Sequence, residues 1–274
     1  MMDGVVYIAT GERHIGRAVL SVESLKRHMP GVHTTIHADR QPPTDAFDAV
    51  EPLDPPEAFY LERIQRLAAS PYARTLSLDS DTYVCAPFPA LWEVLAGYDI
   101  AMVQDTFRTY VQGYDVLRSR VEAVPPAFPM LNAGVIGCRR GPGVDAFFAR
   151  WEALYRADLA AAASAGYTGE LSDQPALRQA LYELPEVRLA VLPPEYNCRF
   201  VHPVALNEPV RILHGPHRDL PGVATEINRV AGNRVYLPGV GLVAEGQAPP
   251  VISGWRLREL RYNLRRRIRQ LLRG

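Results

Sequence analysis

The sequence predicts an α/β fold, in which a central sheet is flanked by helices. Short β-branched or apolar runs alternate with segments of helical period along most of the chain. The composition, 47% hydrophobic and 22% charged, is that of a globular protein. Because sheets of this kind bind ligands at the carboxyl ends of their strands, the residues after each strand are the first candidates for a site.

The chain opens with a β-α-β pattern. Val5–Thr10 is a β-branched run, a segment of helical period follows from Gly11 to Pro30, and Thr34–Ala38 is the next strand. Further strands are predicted at 75–78, 98–103 and 134–138, helices at 57–69 and 144–165, and loops at 41–57 and 106–131. The second loop is long and interrupted by prolines, which is typical of lids and acceptor-binding segments.

The charge of the chain is zero overall but unevenly distributed. Residues 255–274 hold eight arginines against one glutamate, so residues 1–254 carry a net charge of −7. Lys26 is the only lysine, and three widely spaced cysteines suggest neither disulfides nor a zinc site. Since no run of apolar residues is long enough to span a bilayer and the start lacks a basic leader, we expect a cytoplasmic protein.

The most informative motif is Asp79-Ser80-Asp81, which directly follows the apolar strand at 75–78. Two carboxylates at the carboxyl end of a strand offer hard oxygen ligands for a divalent cation beside a diphosphate. Alone the motif is weak, because paired aspartates after a strand are often only a turn or a helix cap.

Other motifs accompany it in a fixed order. The set along residues 5–218 is Ile8-Ala9-Thr10-Gly11, Arg63, Asp79-Ser80-Asp81, Asn132-Ala133-Gly134, Asp173-Gln174 and His214-Gly215-Pro216-His217-Arg218. In this order they resemble the motifs of GT-A glycosyltransferases, and most closely those of the family 8-like retaining enzymes of the glycogenin and bacterial galactosyltransferase type. The resemblance implies a GT-A catalytic domain at 1–220, a Rossmann-like mixed sheet flanked by helices, and an extension at 221–274.

The resemblance also implies a function. The chain would be a metal-dependent hexosyltransferase that moves a sugar from a nucleoside-diphospho-sugar, first of all a UDP-sugar, to an acceptor hydroxyl with retention. The implied metal ligands are Asp79, Asp81 and His214, with Mn²⁺ or Mg²⁺ as cofactor; the implied catalytic residues are Gln174, Asp173 and Asn132. The implied donor-binding residues are Ala9, Thr10, Gly11, His14, Arg63, Asp79, Ser80, Asp105, Gly215 and Arg218. The expected partners are the donor and a glycan or lipid-linked acceptor, with no nucleic acid.

Two departures from the family pattern leave alternatives open. His214 is adjacent to Gly215, whereas two residues separate them in the family, so His217 is a second candidate ligand. The closing basic residue is Arg218 in place of lysine, and no Pro-Trp follows it. Each single residue also has an ordinary structural role open to it. His214 could be a satisfied structural residue, Asn132 a turn or cap residue, and Asp173 a helix cap. Arg63 could be an exposed helix residue paired with Glu62 or Glu57.

Two other functions compete with the glycosyltransferase. The segment Leu78–Thr82 also resembles the nucleophile motif of haloacid-dehalogenase-type phosphatases, but those enzymes need a lysine after the motif and Lys26 precedes it. A catalytically silent sugar-nucleotide-binding or scaffold protein is the other alternative, and the intact Asp-x-Asp motif argues against it.

A basic amphipathic helix is predicted at 255–273. Its leucine and isoleucine residues step by three or four positions, and arginines flank that stripe. Such a helix suits the surface of an anionic membrane, which predicts peripheral membrane binding. The alternative is that the stripe packs on the protein itself or on a second subunit.

Overall fold

The central element is a seven-stranded mixed sheet. A computed structural model describes residues 2–54, 58–107, 109 and 111–244. The strands of this sheet are β1 (Asp3–Ala9), β2 (His33–Ala38), β3 (Ala49–Pro52), β4 (Arg74–Leu78), β6 (Ile100–Gln104), β7 (Leu131–Arg139) and β8 (Leu189–Leu192), in the order β3-β2-β1-β4-β7-β6-β8. All neighbours are parallel except β7, which runs antiparallel to both β4 and β6. The predicted α/β class with a mixed sheet is confirmed.

Helices cover both faces of the sheet. They are α1 (Glu12–His28), α2 (Phe59–Ala68), α3 (Pro89–Gly97), α4 (Tyr114–Glu122), α5 (Pro142–Ser164) and α6 (Gln174–Glu183). Side chains of β1 alternate between two cores: Val6 and Ile8 pack in the core that contains α2, α5 and α6 residues, whereas Val5 and Tyr7 pack in the core of α1 and α3. A strand that is buried on both faces has a continuous apolar sequence, which is why β1 can be recognised in the sequence.

A third core lies beside the central sheet. It is built on β5 (Thr82–Val84), β10 (Ile212–His214), α7 (Leu220–Ile227) and a three-stranded sheet of β9 (Val204–Leu206), β11 (Arg234–Leu237) and β12 (Gly241–Ala244), with a short 3₁₀ turn at Pro194–Tyr196. Strand β5 follows the Asp79-Ser80-Asp81 motif at once and pairs antiparallel with β10. This pairing joins the motif to a segment more than a hundred residues later in the chain. The division of the chain at residue 220 remains a prediction.

Two elements lie where the sequence predicts loops. Strand β3 falls within 41–57 and helix α4 falls within 106–131. Strand β3 is a four-residue edge strand that ends in a proline, and α4 buries only Leu117 and Val121. Strand β3 is too short to show a period, and two buried residues are too few to mark α4 as a helix, so neither element was predicted.

Of the described residues, no helix is both long enough and apolar enough to cross a membrane. The predicted basic helix at 255–273 lies outside the described residues.

Candidate functional site

A cavity opens at the edge of the sheet where β1, β4 and β6 end and β7 begins. Its volume is about 840 Å³, which is usual for a small-molecule site. The residues singled out in the sequence that line it are Thr10, His14, Arg63, Asp79, Ser80, Asp81, Asp105, Asn132, Asp173, Gln174 and His214. Because β7 runs antiparallel, Asn132 near its start meets residues that follow the ends of β4 and β6.

Four of the predicted donor-binding residues have other positions. Among the described residues, those that do not line the cavity include Ala9, Gly11, Gly215 and Arg218. The Gly11 amide, at the start of α1, donates to Asp39 Oδ1 at 3.0 Å. The Gly215 amide donates to the Asp81 carbonyl at 3.0 Å, and its φ of 141° favours glycine. Arg218 is exposed. Their roles in donor binding remain predictions.

The group that could hold a metal ion is Asp79, Asp81 and His214, whose ligand atoms all lie within 4.8 Å of one another. His214 Nε2 is 3.7 Å from Asp79 Oδ2 and 3.4 Å from Asp81 Oδ1. The pairing of β10 with β5 places His214 opposite Thr82, next to the motif. Burial alone would raise the pKa of Asp81, but contact with His214 and the charge of Arg17 lower it to about 2.

Asn197 determines which nitrogen of His214 faces the carboxylates. Its Oδ1 lies 2.9 Å from His214 Nδ1, and its Nδ2 donates to Asn132 Oδ1 at 2.9 Å. Because an amide oxygen can only accept, Nδ1 carries the hydrogen and Nε2 is the nitrogen left to bind a cation. The other candidate, His217, accepts instead from the Asp219 amide through Nδ1 at 3.0 Å. The geometry therefore favours His214 as the ligand.

Gly134 is required by the position of the His214 ring. A Cβ atom at residue 134 would lie 1.9 Å from His214 Cε1. The Gly134 carbonyl also accepts from the Asp79 amide at 2.9 Å. The glycine of the Asn-Ala-Gly motif thus lets the imidazole pack directly on β7, beside the carboxylates of the Asp-x-Asp motif.

A network of amides occupies another part of the cavity. Asn132 Nδ2 donates to Asp105 Oδ2 at 2.9 Å and to Gln174 Oε1 at 3.2 Å. Gln174 Oε1 also accepts from the Ala133 amide at 3.1 Å, and its Nε2 donates to Asp105 Oδ2 at 3.2 Å. Both amide side chains are therefore fixed in orientation, and they present polar edges to the cavity of the kind that bind sugar hydroxyls.

Arg63 is buried and links the Asp-x-Asp motif to the Asp-Gln pair. Its side chain donates to Asp173 Oδ2 at 2.5 Å and to Asp79 Oδ1 at 3.1 Å, and the residue is 3% exposed. Burial lowers the pKa of the guanidinium, but the carboxylates of Asp173 and Asp79 outweigh it and the pKa is raised. Arg63 is therefore not an exposed helix residue, Glu62 pairs with Arg66 instead, and the Asp173 carboxylate does not cap α6. Glu57, the other partner considered for Arg63, lies outside the described residues.

Sequence reasoning missed several residues of the cavity. Arg17, Arg199 and Tyr60 line it, and Asn197 acts on it through its contact with His214. Arg17 follows His14 by three positions on α1, so helical spacing was a signal that could have found it. Asn197 and Arg199 lie in irregular chain after the 3₁₀ turn, where no local pattern distinguishes them.

Comparison with known proteins identifies the fold. No family model matches the chain, and no curated protein matches its sequence. Among solved structures, the galactosyltransferase LgtC in complex with donor and acceptor sugar analogues matches with a TM-score of 0.52 at 14% identity, covering 80% of this chain and 91% of that one. An active-site mutant of LgtC gives 0.51 at 14% identity, covering 80% and 90%.

The bifunctional glycosyltransferase WbbM, solved in its apo form, matches with a TM-score of 0.54 at 15% identity. The match covers 73% of this chain and 40% of that one. Identities this low establish similarity of fold and not of substrate. The chain has the fold of GT-A glycosyltransferases.

Proposed function

We propose that the protein is a metal-dependent glycosyltransferase that moves a sugar from a nucleoside-diphospho-sugar to an acceptor hydroxyl. The observation that carries the proposal is the meeting of two groups in one cavity, the cluster of Asp79, Asp81 and His214 and the amide network of Asn132 and Gln174. The cluster would hold the cation that binds a diphosphate, and the amide network would bind the hydroxyl groups of a sugar. LgtC, which has the same fold, was solved with donor and acceptor sugar analogues.

The residues of the cluster fit a divalent cation. Two carboxylates and one imidazole supply oxygen and nitrogen ligands, and the nitrogen favours Mn²⁺ over Mg²⁺. When bound, the cation would offset the charge of the leaving diphosphate. Asn197 holds the His214 ring for that task and Arg63 orients Asp79, so both prearrange the ligands.

Asn132, Asp105 and Gln174 would bind the hydroxyls of the donor sugar. Gln174 carries an amide, which cannot take up a proton at neutral pH, and the Asp173 carboxylate is buried against Arg63. Neither residue is placed to act as a general base. This is consistent with the retention that the family resemblance implies, in which the acceptor attacks from the side that the diphosphate leaves and gives its proton to that diphosphate. A UDP-sugar is the first donor to test.

The phosphatase alternative finds no support in the site. Lys26 Nζ donates to Asp48 Oδ2 at 2.6 Å and to the Val32 carbonyl at 2.8 Å, and it does not line the cavity. No lysine is therefore available beside Asp79. The silent binding protein would share the cavity, and only turnover separates it from an enzyme.

A screen of nucleotide sugars with and without Mn²⁺ tests the proposal. A donor that binds the folded protein raises its thermal unfolding midpoint by mass action, and the donor so found is then assayed for release of nucleoside diphosphate. The proposal predicts a shift that depends on Mn²⁺, followed by turnover. A shift without turnover, in the presence of a panel of glycan and lipid-linked acceptors, supports the silent binding protein; no shift with any nucleotide sugar contradicts both.

A further inference from the structure

Two arginines of the cavity, Arg17 and Arg199, have unused hydrogen-bonding capacity. Within the described part of the chain, neither side chain makes a hydrogen bond or an ion pair. The Nε atom of Arg199 is buried without a hydrogen-bond partner. The third arginine of the cavity, Arg63, differs from them because it already binds two carboxylates.

An unpaired guanidinium in a cavity calls for an anionic ligand. Each guanidinium has five N–H donors and no acceptor. Both side chains are half-buried, and leaving the buried Nε atom of Arg199 without a partner costs free energy. Among the described residues, no carboxylate of the cavity forms an ion pair with either arginine, although the charge of Arg17 acts on Asp81. Asp79 and Asp81 face His214, Asp173 binds Arg63, and the remaining acids, Asp105 and Glu170, accept hydrogen bonds from amide side chains.

The chain places both arginines at the border of the metal-binding cluster. The Cys198 amide donates to the Ile212 carbonyl and its carbonyl accepts from the His214 amide, both within 2.9 Å, so Arg199 follows directly the residue paired with β10. Helix α1, which carries Arg17, contacts β5 through a hydrogen bond of 2.7 Å between Ser21 Oγ and Thr82 Oγ1. Both elements therefore adjoin the segment that holds Asp81.

We propose that Arg17 and Arg199 bind the diphosphate of the donor, one of them in place of the basic residue that the family motif puts at position 218. This inference rests on the proposed function. Each guanidinium could bind one of the two phosphates. The cation held by Asp79, Asp81 and His214 would offset the remaining negative charge of the diphosphate. Arg218 is exposed and is not among the described residues that line the cavity.

Binding of inorganic pyrophosphate and of UDP, each with Mn²⁺, tests the inference without reference to the sugar or acceptor. Titration calorimetry would compare the full-length protein with Arg17→Gln, Arg199→Gln and the double variant. Loss of a charge-assisted hydrogen bond predicts about tenfold weaker binding for each single variant. Arg199→Lys keeps the positive charge but loses the planar guanidinium. Its binding affinity should therefore fall less than that of Arg199→Gln.

Arg156→Gln is the matched control, because it removes the same charge from an exposed site outside the cavity. The thermal unfolding midpoint of each variant checks that it is folded. Binding by both arginine variants as tight as that of Arg156→Gln overturns the inference, as does a larger loss for Arg218→Gln than for either. If the unaltered protein binds neither probe, the proposed function fails together with the inference. If it binds both probes and the variants bind equally well, only the inference fails.

Discussion

At the scale of single residues, His214 is the side chain on which the site depends. Its Nδ1 atom is bonded to Asn197 and its Nε2 atom faces Asp79 and Asp81. Asn197, which is 1% exposed, also binds Asn132 and so joins the metal-binding cluster to the amide network. A change at Asn197 should therefore act on the metal through His214.

Asn197→Ala should weaken Mn²⁺ binding by about tenfold or more, since loss of a residue that orients a metal ligand usually has this effect. Asn197→Asp offers Nδ1 a carboxylate acceptor in place of the amide, so its Mn²⁺ affinity should approach that of the unaltered protein. The Mn²⁺ affinity of each variant is measured from the electron paramagnetic resonance signal of free Mn²⁺. A purely structural role for Asn197 predicts equal damage from the two variants, because both lose the donor to Asn132.

Gln174→Ala should lower the turnover number more than it weakens nucleoside diphosphate binding. The side chain contacts Asn132, Ala133 and Asp105, in the amide network and not in the metal-binding cluster. The measurements are kcat with the donor from the screen and the dissociation constant of UDP by calorimetry. Gln179→Ala, on the same helix but outside the cavity, is the control. Equal losses of rate and affinity would place Gln174 in the nucleotide pocket.

At the scale of elements, the site is made where the end of β10 meets β7. The His214 ring packs against Gly134, and no residue larger than glycine fits at position 134. This contact is between strands of different sheets, because β10 pairs with β5 and β7 pairs with β4 and β6. The pairing of β10 with β5 thus places the histidine beside the aspartates, and its contact with β7 fixes the position of the ring.

Gly134→Ala should displace the His214 ring, at a cost of about 1–3 kcal/mol in the free energy of unfolding for overpacking, and should weaken Mn²⁺ binding as well. Gly16→Ala is the control, because a Cβ at this exposed helical position meets nothing within 4 Å. Urea unfolding and Mn²⁺ titration are the two measurements. A Gly134→Ala protein with the stability and Mn²⁺ affinity of the control would show that the ring does not need this contact.

The elements also show how far the sequence could predict the site. Asp79, Asp81 and Asn132 are predictable because they follow or begin apolar strands that are plain in the sequence. Arg63 was expected at the site, and its burial also had a signal, since it lies four residues before Leu67 on the buried stripe of α2. Asn197 had no such signal in the sequence, because it lies in irregular chain and binds Asn132, which is 65 positions away.

At the scale of the whole molecule, segments from residue 8 to residue 214 meet at one edge of the sheet. The alternation of strand and helix segments in the sequence was enough to predict the α/β fold, and the order of the motifs implied its GT-A form. The roles proposed for Arg17 and Arg199 were not predictable from the same motifs, since they depend on which carboxylates pair with which arginines after folding.

The uneven charge of the whole chain leads to a prediction about membranes. If residues 255–274, with eight arginines and one glutamate, bind an anionic surface, the full-length protein should sediment with vesicles that contain anionic lipid and not with neutral ones. Binding should weaken as salt is raised and disappear when 255–274 is removed. Equal sedimentation of the full and truncated proteins would assign the segment to the fold or to a subunit contact.

The most direct test is a titration of Mn²⁺ against the unaltered protein, Asp81→Asn, His214→Ala and His217→Ala, with and without UDP. A donor site built on Asp79, Asp81 and His214 predicts one Mn²⁺ per chain that binds more tightly with UDP. It also predicts a loss of about tenfold or more in Mn²⁺ affinity for Asp81→Asn and His214→Ala, together with loss of Mn²⁺-dependent turnover. His217→Ala should bind Mn²⁺ as the unaltered protein does. Unchanged Mn²⁺ affinity and turnover in folded Asp81→Asn and His214→Ala would contradict the assignment of the site.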